Sequence, residues 1–145
     1  MKTIMKLLLP MVFVLVVACS SEVRPTNFDQ LPPSAQKIIL DHFNKEDILL
    51  VTIDRDGLQT EYEVRFKDGT EIEFDKKGNL KKIDCGRFRV PDALIPAAVL
   101  SYVQENFPTA FITEWGKDDR RWKAELNNGL ELVFDNNYKF VGFDD

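Results

Sequence analysis

The chain has 145 residues, 19 of them basic and 24 acidic, for a formal net charge of −5. Its basic clusters, Lys76-Lys77, Lys81-Lys82 and Arg120-Arg121, are short and have acids nearby. That pattern disfavours nucleic acid, whose phosphates are held by a basic stripe. With two cysteines and one histidine, His42, a thiolate-rich zinc site is excluded, and any Ser-His or Cys-His pair would have to use His42 alone. In Leu40-Asp41-His42-Phe43 that residue reads as part of a helix's polar face.

Residues 1–18 have the parts of a secretory signal in order: Lys2 and Lys6, then the apolar run Leu7 to Val17. Eleven apolar residues fall short of the roughly 20 needed to span a bilayer as a helix. The run ends in Val16-Val17-Ala18-Cys19, which resembles the bacterial lipobox. Cys19 is therefore expected to carry a lipid, which anchors a domain without spanning the membrane. Residues 19–30 are then expected to be a tether, with a domain over 31–145. Removing 1–18 leaves 17 basic and 24 acidic side chains, a net charge of −7. It also leaves Cys85 as the one other thiol, so an intrachain disulfide is excluded.

Hydrophobic spacing then predicts a unit that occurs twice. Ala35, Ile38, Ile39 and Phe43 recur at helical steps over 34–44, and the helix 96–106 of copy two repeats this with Val99, Leu100, Val103 and Phe107. The run 47–53 is apolar, and 60–66 and 70–74 alternate at period two, as strands with one wet face do. Lys67-Asp68-Gly69 and Asn127-Asn128-Gly129 are hairpin signals, and 79–84 supplies a fourth strand. Leu31-Pro32 and Phe43 match Ile95-Pro96 and Phe107 at an offset of 64. Tyr62, Phe66, Phe74-Asp75 and Asp84 match Trp122, Leu126, Phe134-Asp135 and Asp144 at an offset of 60. The changed offset implies a connection four residues longer in copy one, at Asp54-Arg55-Asp56-Gly57. The expected fold is α+β: tandem helix-plus-four-strand repeats, 31–85 and 90–145, form one eight-stranded antiparallel sheet. Helices cover one face and leave a concave face open.

Val90-Pro91, Ile95-Pro96-Ala97-Ala98-Val99, Glu105-Asn106-Phe107-Pro108, Leu126-Asn127-Asn128-Gly129, Glu131 and Phe134-Asp135 together resemble the PepSY-like lipoproteins of Bacteroidetes. The fold of that family is similar to that of the β-lactamase inhibitor protein. The resemblance covers roughly residues 28 to 145. It implies two tandem units, a curved sheet, a periplasmic location and no catalytic apparatus.

On the outward parity of the strands lie Glu63, Arg65, Arg121, Lys123 and Glu125, a mixed-charge surface suited to selective docking of a protein or peptide. In Ile112-Thr113-Glu114-Trp115 a regular strand puts either Ile112 or Trp115 on that face. Trp115 is carried as a candidate interface anchor, its parity left open. Asp54 and Asp56 are the alternative calcium ligands, without the spacing and terminal Glu of an EF-hand. Asp75 and Asp135 read as turn formers. No carboxylate pair is set in an apolar pocket by the sequence pattern, which disfavours a hydrolase. The expectation is a monomeric, non-enzymatic lipoprotein without a cofactor, outer-membrane anchored on the periplasmic side, that binds or inhibits an envelope protein or peptide. A calcium-responsive envelope protein is the alternative. Cys85 shares the parity of Ile83 and is expected to be buried where the copies meet.

Overall fold

The computed structural model describes residues 22–118 and 120–144. The signal segment, Cys19 and Ser20-Ser21 lie outside the described residues. Along the chain run β1 (Glu22–Thr26), α1 (Pro33–His42), β2 (Ile48–Asp56), β3 (Gln59–Phe66), β4 (Glu71–Asp75) and β5 (Leu80–Asp84). They are followed by α2 (Ala97–Asn106), β6 (Ile112–Asp118), β7 (Arg121–Leu126), β8 (Glu131–Phe134) and β9 (Phe140–Asp144). The fold is α+β, with nine strands in one antiparallel sheet in sequence order. Among the described residues no helix is long and apolar enough to cross a membrane.

Sheet and helices meet through one apolar layer. Ala35 and Ile39 of α1 and Val99 and Val103 of α2 are buried with Val64, Ile72, Phe74, Ile83, Ala124, Leu132 and Phe134 in a single cluster. These strand positions are the ones that period-two alternation points inward. Each helix stops at a phenylalanine whose N–H donates to the carbonyl four residues back, Phe43 to Ile39 and Phe107 to Val103. Pro108 follows the second stop and disfavours helical backbone before it.

Three details differ from the expectation. The sheet has nine strands, not eight, because Glu22–Thr26, read as tether, pairs antiparallel with β2. This strand has no buried residue, so side-chain periodicity gave no sign of it; backbone pairing along an edge holds it. Pro25, which has no N–H to donate, is tolerated because β1 is an edge. The four extra residues expected near Asp54 do not lengthen a loop. The strands of the β2–β3 hairpin have 9 and 8 residues, two more each than the 7 and 6 of β6–β7.

The third difference concerns Trp115. Pairing in β6 slips between Ile112 and Glu114, so Ile112 stands opposite Leu126 and Trp115 opposite Ala124. The bulge turns both apolar side chains inward, which a regular strand forbids. Trp115 is 2% exposed, stacked on Trp122 with centroids 5.0 Å apart, and edge-on to Phe134. The exposed-anchor reading of Trp115 is therefore corrected: it is a core residue.

Candidate partner-binding face

The face opposite the helices is built from the residues that alternation sends outward. Following cross-strand partners, one row takes a residue from every strand: Pro25, Thr52, Glu63, Glu73, Lys82, Gly116, Lys123, Val133 and Gly142. A neighbouring row runs Arg65, Glu71, Asp84, Glu114, Glu125, Glu131 and Asp144 from β3 to β9. Six of those seven are carboxylates on six consecutive strands, which lie about 4.8 Å apart.

At the centre of this face is a hollow of about 400 Å³ lined by Glu73, Lys82, Glu114, Gly116, Lys123, Glu125 and their neighbours. Gly116 makes its floor. A Cβ there would stand 2.8 Å from Lys82 Cγ and 3.1 Å from Lys82 Cα, so only glycine permits this approach of β5 and β6.

Charges around the hollow are mostly paired. Lys82 Nζ donates to Glu114 at 2.8 Å, and this bond, more than neighbouring acids, holds the Lys82 ammonium above its usual range. Lys123 bridges Asp118 at 3.0 Å and Asp144, and its pKa is likewise raised by those bonds. Arg65 pairs with Glu63 and, at 3.3 Å, with Glu71. Glu125 has no cation among the described ion pairs. Burial first, then repulsion from Glu114, Glu131 and Asp84, pushes its carboxyl above the ordinary range. Glu73 is raised for the same leading reason, against the pull of Lys82 and Lys81.

Of the residues picked from the sequence, Lys123 and Glu125 line the central hollow together. Arg121 and Lys123 share an adjoining hollow of about 610 Å³ with Asp118, Val133 and Asp144. Glu63 and Arg65 stand on β3, four strands from β7, so they form a second patch about 19 Å away. Sequence reasoning missed Lys82, Glu114 and Gly116. The glycine inside the otherwise bulky Trp115-Gly116-Lys117 was the available signal, since glycine in a strand marks close backbone approach.

Asp54 and Asp56 sit on the β2 strand, not in an acidic loop. Among the described residues no group of three or more His, Cys, Asp or Glu side chains gathers as metal ligands. Asp54 Oδ1 is buried without a hydrogen-bond partner, in a hollow of about 210 Å³ with Thr52, Glu61 and Glu63. Asp75 and Asp135 are turn formers, as expected: Asp75 Oδ1 accepts from the N–H of Lys77 at 2.8 Å and Asn79 at 2.9 Å, and Asp135 accepts from Asn137 and Lys139. Burial works against the Asp75 carboxylate, but these bonds and that from the Asn79 side chain prevail and lower its pKa. His42 ends α1.

The family described as "Putative beta-lactamase-inhibitor-like, PepSY-like" matches residues 60–142. A "putative periplasmic protein from DUF2874 family" of Bacteroides vulgatus is 31% identical, with a TM-score of 0.81 over 86% of this chain and 98% of its own. A "putative calcium-regulated periplasmic protein" of Bacteroides thetaiotaomicron is 36% identical, with a TM-score of 0.78 over 85% and 97%. A "putative periplasmic protein of unknown function" of Bacteroides vulgatus is 30% identical, with a TM-score of 0.77 over 87% and 100%. No curated protein matches. With more than half of its length matched and near-complete overlap with these structures, the chain belongs to the PepSY-like family.

Proposed function

We propose that the protein is a non-catalytic, lipid-anchored periplasmic module that binds a protein or peptide, in an inhibitory or recognition role, through the open sheet face. The observation that carries this is the row of outward side chains crossing all nine strands with a glycine-floored hollow at its centre. Paired Lys82–Glu114 and Lys123–Asp118 fix the positions of charge around the hollow, and placed charge gives partner selectivity more than affinity. The periplasmic location is supported by the names of three structural relatives. The anchor is supported by the Ala18-Cys19 motif.

The test is a pull-down from envelope extract with wild type and with Lys82→Glu/Lys123→Glu. The reading expects a specific protein retained by wild type and lost with the variant at unchanged thermal stability. Equal retention by both would sink it. A calcium-responsive role is the second reading, favoured by the carboxylates in one row and by the name of the Bacteroides thetaiotaomicron relative. Calorimetric titration with calcium separates the two, since the docking reading expects no saturable heat in the absence of partner.

A further inference from the structure

We infer that the end of the sheet bearing the β2–β3 turn rests on the bilayer surface, with Leu58 entering the headgroup region. This inference rests on the lipid-anchor reading of Cys19. Only Ser20 and Ser21 separate Cys19 from Glu22, the first residue of β1. Three residue steps span at most about 10 Å even when fully extended. Because β1 is antiparallel to β2 with Glu22 opposite Arg55, its leading end points the same way as the β2–β3 hairpin. The Gly57-Leu58 turn lies two to three residues beyond Arg55, about 7–10 Å farther along that direction. An acyl chain on Cys19 therefore lies within about 10 Å of Glu22, a limit that matches the distance from the level of Glu22 to the turn. A lipid seated at Cys19 brings the turn to the same plane.

The chemistry of that end fits a lipid surface. Leu58 is 98% exposed, the most exposed large apolar side chain among the described residues. It forms one wall of a hollow of about 430 Å³ whose other walls include Lys76 and Lys77 of the β4–β5 turn and Lys81 of β5. Two of the acids there are engaged, Glu61 by Lys81 and Asp75 by its own turn, while Asp56, beside the turn, and Asp54 enter none of the described ion pairs. Lys76, Lys77 and Arg55 enter none of the described ion pairs. An exposed apolar tip beside unpaired cations is the pattern of an interfacial contact, with the apolar group entering the boundary region and ammonium groups meeting phosphate. The two extra residues in each arm of the β2–β3 hairpin project it farther than its β6–β7 counterpart.

The test uses the full-length acylated protein in vesicles of phosphatidylethanolamine and phosphatidylglycerol, with an environment-sensitive fluorophore at Leu58→Cys or at Asn128→Cys. Asn128 lies in the β7–β8 turn at the opposite end. The expected result is a blue-shifted, several-fold brighter label at position 58, quenched by a lipid-borne quencher, and an aqueous spectrum at 128. An aqueous spectrum at 58 in protein whose Cys19 peptide carries the acyl mass overturns the inference and leaves the anchor standing. Equal membrane signals at 58 and 128 also overturn it. An unmodified Cys19 peptide overturns both.

Discussion

Trp115 shows how a single inserted residue decides a side chain's role. Buried against Trp122, Phe134 and Tyr138, it contributes to the core and not to recognition. Trp115→Ala is expected to cost about 3–5 kcal/mol in chemical denaturation; a loss under 1 kcal/mol would contradict the packing. Cys85 is 3% exposed, and burial pushes its thiol up to about 11 despite a bond from the Thr70 side chain. A neutral, enclosed thiol reacts slowly. Labelling of native protein by a thiol reagent at pH 8 should proceed orders of magnitude slower than in denaturant; equal rates would place Cys85 at the surface. Gly78, at a φ of +82, packs so close to α1 that an added Cβ would lie 2.3 Å from Ser34 Oγ and 2.8 Å from Ala35 N. The inward parity of Cys85 was legible in the sequence because Ile83 shares it. That of Trp115 was not, because alternation carries no information about a bulge.

At the scale of elements, helices and strands with periodic side chains were legible and β1 was not. The helices and the strands β3, β4, β7 and β8 each bury part of a stripe or alternate row, and burial is what writes periodicity into a sequence. β1 has no buried residue; its Val23 is 59% exposed, and among the described residues it pairs as a strand with β2 only. Native-state hydrogen exchange should therefore find the β1 amides opening at lower free energy than those of β3 to β8, as an unburied edge requires. Protection of β1 equal to that of the central strands would indicate a contact beyond this pairing. The hairpin β2–β3 illustrates the same limit: the shift in offset was readable, but not its division into two residues per strand.

For the whole molecule, the sheet separates a packed side from a charged side, and only the first was fully legible. The parity of Glu63, Arg65, Lys123 and Glu125 followed from alternation, whereas their grouping into two patches depends on strand order, which one strand's sequence does not encode. The charged side carries a pH signature. Folding raises the Glu73 and Glu125 carboxyls above 4.5, so the folded state takes up their protons more readily than the unfolded chain. Their stabilising contribution is present below about pH 4.5 and is lost as pH rises through the raised values. Glu125→Gln should accordingly raise the melting temperature at pH 7, with the gain shrinking towards pH 4. A gain that grows on acidification would contradict the burial of Glu125.

In the proposed function, partners meet the open face. The most direct measurement of this places a photo-crosslinking residue in living cells at Glu63 or Glu125 on that face, and at Lys37 or Glu105 on the exposed sides of the helices. The expected result is one discrete adduct from positions 63 and 125, absent in the Lys82→Glu/Lys123→Glu background, and none from 37 or 105. Adducts arising from the helix positions, or from all four alike, would contradict it.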